Sequence, residues 1–291
     1  MSSHQIPELI ELAHAQLPHP GNWSLTTNPA WLTGIYIGPD VRSRVWRSPS
    51  GALLASAAVR VSESAPATVT VTSMVRPGAE ALWDEQRAWI DVTVQELPGN
   101  PPVEAVCESL TDAEEARWRS AGFELIFEEL VMQHSLSSGG ALGAPDWPPG
   151  TTLVEWSPDA AVASSEMYVA AFRDRPGFPG WSPRDWIERL TSDDDLLPEA
   201  SFFARIDGVA AGYVVSEPGW VGQVGVVPAF RRRGLARALV SEAVARQRAL
   251  GHHTVHLHVN TNNLGALAAY RGLGFETVGR RGRFERHAIP R

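Results

Sequence analysis

The stretch Val226-Val227-Pro228-Ala229-Phe230-Arg231-Arg232-Arg233-Gly234-Leu235-Ala236 places an apolar run, a basic turn and the start of a helical pattern one after another. The first N–H groups of a helix have no partner within it and lie at the positive end of its dipole. A helix start of this kind is a ready anion site. Gly234 and Ala236 leave room for a diphosphate, and the three arginines add positive charge around it. Taken alone, the stretch is equally well read as an exposed arginine cluster at the start of an ordinary helix.

Working outward, the chain alternates between two periodicities. Strands are expected over 201–206, 210–215, 221–227 and 254–259, with a long helix over about 233–250. Further helices are expected over 160–172 and from Ser182-Pro183 to Leu190, proline being well placed in a first turn. This is α/β patterning with a mixed sheet. Residues 137–150 run from Ser137-Ser138-Gly139-Gly140 to Pro148-Pro149-Gly150 and read as a linker between domains 1–136 and 151–291.

The two sides of that linker repeat one another. Trp118-Arg119-Ser120-Ala121-Gly122-Phe123-Glu124 returns 152 residues later as Tyr270-Arg271-Gly272-Leu273-Gly274-Phe275-Glu276. In each, a short helix closes at a glycine and a strand follows. Thr111 with Glu114 forms a capping-box pattern before the first of these helices. The strand Thr68-Val69-Thr70-Val71-Thr72 stands at the same offset from 221–227, and each half is expected to begin with a helix. In the first, Ile6, Leu9, Ile10, Ala13 and Leu17 recur at helical spacing. A tandem duplication explains all of this.

Composition narrows the chemistry. The 291 residues carry 25 basic and 33 acidic side chains, a net charge of −8 that argues against general nucleic-acid binding. Every basic residue other than histidine is arginine, which removes Schiff-base and phosphate-loop lysine mechanisms. Cys107 is the single cysteine, so no internal disulfide exists and a reducing compartment fits. The first residues lack the basic-then-apolar pattern of a signal peptide, and no apolar run is long enough to span a bilayer. A cytoplasmic protein without membrane contacts is expected. Oligomeric state is not readable.

A second motif follows the expected strand 254–259. Asn263 and Ala266 precede Tyr270, and Gly274-Phe275 closes the segment. The patterns Val-x-Pro-x-x-Arg-x-x-Gly-x-Ala and Asn-x-x-Ala-x-x-x-Tyr-x-x-x-Gly-Phe, in this order, resemble the GNAT superfamily of acetyl-CoA-dependent N-acetyltransferases. The resemblance is strong over the second half and weak over the first. The doubled plan is similar to the mycothiol synthases, which are tandem members of that family. It implies two GNAT-like domains, each a mixed twisted sheet flanked by helices, the first degenerate.

The resemblance also implies roles. Val224, Gly225 and Val226 would lie along the pantetheine arm of acetyl-CoA and bond it through their backbones. Arg231, Arg232, Arg233, Gly234, Leu235, Ala236 and Arg237 would supply the N–H groups that hold the pyrophosphate. Asn263 would bond the arm or the strand edge, and Ala266 would let it pass. Tyr270 would stand beside the sulfur and protonate the departing thiolate, with a core tyrosine on a helix as the alternative. Ala171-Phe172 and Gly180-Trp181-Ser182 resemble the acceptor-side loop.

The base is harder to find. Trp220-Val221-Gly222-Gln223-Val224-Gly225-Val226 carries no carboxylate, and Glu217 just before it reads as a turn residue. His256 and His258 fall on one face of a strand. His258 is the candidate base or contact for a small-molecule amine acceptor, against a buried structural histidine. With His252 and His253 these residues form a poor ligand set, so no metal is expected. Trp220 replaces an acidic substrate contact of the mycothiol synthases, which argues against their acceptor. Arg280-Arg281-Gly282-Arg283 reads as a solvated turn, with a ribose-phosphate contact as the alternative.

In the first half, Val75-Arg76-Pro77-Gly78-Ala79-Glu80-Ala81-Leu82 has one arginine and puts Glu80 where a diphosphate would arrive. Trp118 stands in place of the tyrosine, and an indole is no proton donor for this step. An acyl-CoA-binding regulator or scaffold that has lost turnover is the competing function. Tyr270 favours the enzyme; the missing strand carboxylate favours the scaffold.

Overall fold

A computed structural model describes residues 3–17, 27–61, 68–99, 101–136, 143–174 and 180–286. The chain forms two compact units, Met1–Leu130 with Val278–Arg291, and Val131–Thr277. These units are drawn differently from the halves 1–136 and 151–291, because the chain changes unit within two strands. Part of the linker 137–150 lies outside the described residues.

The first unit carries helices α1 (Ile6–Gln16) and α2 (Pro29–Tyr36), then strands β1 (Val41–Arg47), β2 (Leu53–Val61) and β3 (Val69–Val75). Helix α3 (Trp83–Gln95), strand β4 (Val103–Cys107), helix α4 (Asp112–Ser120) and strand β5 (Glu124–Ser135) follow. Strands β1, β2 and β3 pair antiparallel, and β3 pairs parallel with β4 from Val69↔Val103 to Val71↔Ala105. β2 is buried on both faces. Leu53 and Ala58 pack toward Leu9, Leu12 and Tyr36, while Ala55, Ala57 and Val59 pack toward Ile90 and Val94. A strand covered on both sides shows no alternation of apolar and polar residues, which is why it does not read as a strand in the sequence.

The second unit opens with strand β6 (Thr151–Glu155), then α5 (Pro158–Phe172), α6 (Pro183–Thr191), β7 (Phe202–Ile206), β8 (Val209–Glu217) and β9 (Trp220–Val226). Helix α7 (Leu235–Ala249), strand β10 (Thr254–Asn260), helix α8 (Leu264–Arg271) and strand β11 (Glu276–Arg286) complete the chain. Where the sequence leads one to expect a helix, this half begins with an edge strand whose half-exposed residues give no clean pattern. Strands β6 to β9 pair antiparallel, and β9 pairs parallel with β10. Helices α5 and α6 cover one face through Tyr168, Trp186 and Leu190. Leu235 and Leu239 of α7 press on the other face at Gly212. Thr111 and Glu114 form the expected capping box, and α6 starts at Ser182-Pro183 as expected, where Ser182 and Asp185 form a second one.

Strand β11 corrects the reading of Arg280-Arg281-Gly282-Arg283 as a solvated turn. These residues lie in mid-strand, antiparallel to β4 with Gly282 opposite Cys107. Arg281 donates to Glu129 at 2.6 and 2.8 Å and to Glu108 at 3.2 Å. Arg280 donates to Glu128, Glu115 and Asp112. A run of arginines interrupted by glycine hides a strand, because these arginines sit in it by ion pairing. No helix among the described residues is long and apolar enough to cross a membrane.

Candidate active site

The site is built where β9 parts from β10. The two strands pair only at Trp220↔His256 and Val221↔Leu257, while β9 continues along β8 as far as Val226. Beyond Val221, the β9 edge carrying Val224, Gly225 and Val226 has no described pairing with β10. The parting coincides with a bulge: Val215 pairs with Gln223 and Ser216 with Val221, so Gly222 is the extra residue. Bulges bend a strand and redirect its side chains.

Strand alternation through this register puts Tyr213, Val215 and Glu217 of β8 on the α5–α6 face. Gly225, Gln223 and Trp220 of β9 lie opposite them, followed by His256 and His258 of β10. The Gln223 Oε1 accepts from the Trp186 indole at 2.9 Å and from the Tyr213 hydroxyl at 3.2 Å. Gly225 must be glycine, because a Cβ there would sit 2.3 Å from the Tyr213 ring. Sequence reasoning missed this lock, since its members come from three elements.

The arginine turn has the conformation of an anion nest. Arg232 has φ +60° and Gly234 has φ +83°, so two left-handed residues flank Arg233 just before Leu235. Alternating hands of this sort turn successive N–H groups inward to a common point. A non-glycine residue held left-handed carries strain, which concentrates at binding sites. Apart from its own residue and chain neighbours, no heavy atom lies within 4 Å of where a Gly234 Cβ would be. The side chains serve the loop: Arg231 donates to the carbonyls of Val226 and Ala171, and Arg233 lies over Phe230. Arg237 donates to Gly272 O.

Asn263 caps α8, its side chain accepting from Ala266 N at 3.1 Å. The same bond holds the backbone at Ala266. Tyr270 follows on that helix, 7% exposed, with its ring 6.1 Å from Phe275. His258 stands one residue past the last β9–β10 pair, its ring 4.8 Å from Trp220. His256 is buried, stacked on Trp220 at 4.9 Å and hydrogen-bonded to Gln133. Burial lowers its pKa. No cluster of three or more metal-ligating side chains occurs among the described residues.

The corresponding stretch of the first unit is built differently. Trp83 at the start of α3 and Trp118 of α4 meet edge to face at 4.9 Å. At the turn before α3, the Glu80 carboxylate accepts from Gly78 N at 2.9 Å, and its pKa is held low by backbone hydrogen bonds from Gly78 and from its own N–H. The protein's own anion thus occupies this turn.

A family model described as Acetyltransferase (GNAT) family matches residues 165–275. A mycothiol acetyltransferase from a Nocardioides species is 31% identical over 62% of this chain and 67% of its own length. The chain spans about half the length of other curated mycothiol acetyltransferases that it matches. Among solved structures, a GCN5-related N-acetyltransferase from Sphaerobacter thermophilus covers all of this chain and 95% of its own, with TM-score 0.77 and 21% identity. A tandem GNAT protein from the clavulanic acid biosynthesis pathway covers 100% of this chain and 98% of its own, with TM-score 0.64 and 18% identity. The whole chain therefore has a tandem GNAT fold, and with the similarity in sequence it belongs to the GNAT family of acetyltransferases.

Proposed function

We propose that the chain is an acetyl-CoA-dependent N-acetyltransferase that moves an acetyl group by direct transfer to the amine of a small molecule. Residues 151–291 form its catalytic domain and 1–136 a degenerate copy. The observation that carries this reading is a juxtaposition. The nest of Arg232 to Gly234 directly follows the strand whose edge is released by the parting of β9 from β10. A diphosphate fits the nest, and an extended pantetheine arm fits the edge at Val224, Gly225 and Val226, passing Ala266.

Transfer needs a free amine, a stabilised oxyanion and a proton for the departing thiolate. A backbone N–H on the released strand edge meets the second need. Tyr270 meets the third, because a phenol held against the sulfur can protonate a thiolate. His258, at the parting, contacts the acceptor. The names of the mycothiol acetyltransferases support a small-molecule acceptor.

The test is release of free thiol from acetyl-CoA on adding an aminosugar, a polyamine, an amino-acid amide and an aralkylamine. Amine-dependent release is expected from at least one. Calorimetry should give one acetyl-CoA per chain, on the reading that Glu80 and Trp118 leave the other copy unfit for the cofactor. Binding without amine-dependent release would favour a regulator or scaffold, and two equivalent sites would overturn the degenerate reading.

A further inference from the structure

The lack of a carboxylate on β9 leaves the acceptor's proton without an obvious destination. The α5–α6 face supplies one from the neighbouring strand. Glu217 is the last residue of β8 and pairs with Trp220 at the base of the parting. Its side chain turns toward the bulge: a Cβ on Gly222 would lie 2.6 Å from the Glu217 Oε1. Gly222 is exposed and immediately follows Val221, the last β9 residue paired with β10. The extra residue thus opens a gap in the strand, and the missing side chain leaves that gap to the carboxylate.

We propose that Glu217 is the general base of the reaction, taking the proton of the acceptor amine across the space left by the bulged Gly222. This rests on the acetyltransferase reading above. The amine nitrogen forms its bond to the thioester carbonyl carbon and gives its proton to the Glu217 carboxylate. The carbon–sulfur bond then breaks, and the thiolate takes a proton from Tyr270. The products are the amide and the free thiol, and solvent returns Glu217 and Tyr270 to their starting forms.

The surroundings suit this role. The charged groups facing Glu217 are Asp193 and Asp195, from the segment after α6; on β9 and β10 its row continues through Trp220 to the buried His256. Burial first, and then the two aspartates, push the Glu217 carboxyl up to about 7. A base with that pKa is half ionised at neutral pH, where proton transfer is most efficient. Asp193 and Asp195 also favour approach of a cationic amine.

The experiment compares wild type, Glu217→Gln, Gly222→Ala and His258→Gln, using the four amines above and hydroxylamine, from pH 5.5 to 9. Wild-type kcat/KM for the amine should rise with pH through about 7. In Glu217→Gln that limb should vanish and the rate fall about 10²- to 10³-fold, with acetyl-CoA affinity unchanged by calorimetry. Hydroxylamine, a weak base, should narrow the gap. Gly222→Ala keeps the carboxylate but puts a methyl group against it, so it should also lower the rate. If active wild type and Glu217→Gln share rate and pH limb, or if His258→Gln alone removes the limb, Glu217 is not the base. Glu217→Gln losing acetyl-CoA affinity would assign the residue a structural role instead. Wild type inactive with every amine would overturn the acetyltransferase reading itself.

Discussion

Tyr270 sits buried on α8, seven residues after the Asn263 cap that starts the helix. Tyr270→Phe removes one oxygen and keeps the ring that packs near Phe275. If the hydroxyl protonates the leaving thiolate, kcat should fall by about 10²–10⁴, or roughly 3–5 kcal/mol of barrier, with acetyl-CoA binding retained. Retention of most of the rate, with a stability loss of about 1 kcal/mol, would make it a packing residue. Glu217 gives a second prediction at this scale, on stability. Its carboxyl is raised from 4.5 to about 7, so the folded protein binds that proton more tightly than the unfolded chain. Stability from this group is present below the ordinary carboxyl range and is lost as pH rises through about 7. Glu217→Gln should therefore stabilise the protein at pH 8, on the order of 1–3 kcal/mol, with less effect at pH 5. Denaturant melts at both pH values would show it, and equal differences at both would refute it.

At the scale of elements, the bulge in β9 and the turn before α7 act together. Pairing with β10 ends at the bulge, and the turn proposed to hold the diphosphate follows with two left-handed residues. Gly234 is central to that proposal, because its φ of +83° suits glycine and its free side is open. Gly234→Val should strain the turn and fill the approach, weakening acetyl-CoA binding at least about tenfold, which is about 1.4 kcal/mol. Calorimetry on the folded variant checks this, and unchanged affinity would remove the nest from the binding site. Arg231 belongs to the same element in a different capacity. Its guanidinium bonds the carbonyls of Val226 and Ala171, so its charge holds the loop in shape.

At the scale of the molecule, the repeat offset has a physical meaning. Glu128 bonds Arg280 and Glu129 bonds Arg281, and both pairs are 152 residues apart, the same spacing as the repeat. Positions equivalent in the two copies meet in the first compact unit, carrying opposite charges. Identical copies would oppose carboxylate to carboxylate, or guanidinium to guanidinium. Glu129 is 1% exposed, so Arg281→Glu would bury unpaired negative charge beside it and beside Glu108. A cost of about 3–5 kcal/mol is expected. Exchanging the charges, with Glu129→Arg added, should recover part of it. Thermal melts of the single and double variants decide, and a single reversal costing under about 1 kcal/mol would contradict the argument.

The features legible in the sequence are those set by neighbouring residues. The arginine-glycine turn, the capping box at Thr111, the closing glycines at 122 and 274 and the order of the two motifs each depend on a few consecutive backbone conformations. They were enough to point to the family and to a candidate list for the site. Other features depend on register between distant segments, which no local pattern specifies. The strand β2, buried on both faces, has no alternation to read, and β11 owes its place to carboxylates about 150 to 170 residues away. Glu217 reads in sequence as a turn residue after an apolar strand. Only the pairing of β8 with β9, shifted by a single extra glycine, brings its carboxylate to the point where the strands part. A one-residue change of register alters which side chains share a face, so that part of the chemistry was decided by the tertiary structure alone.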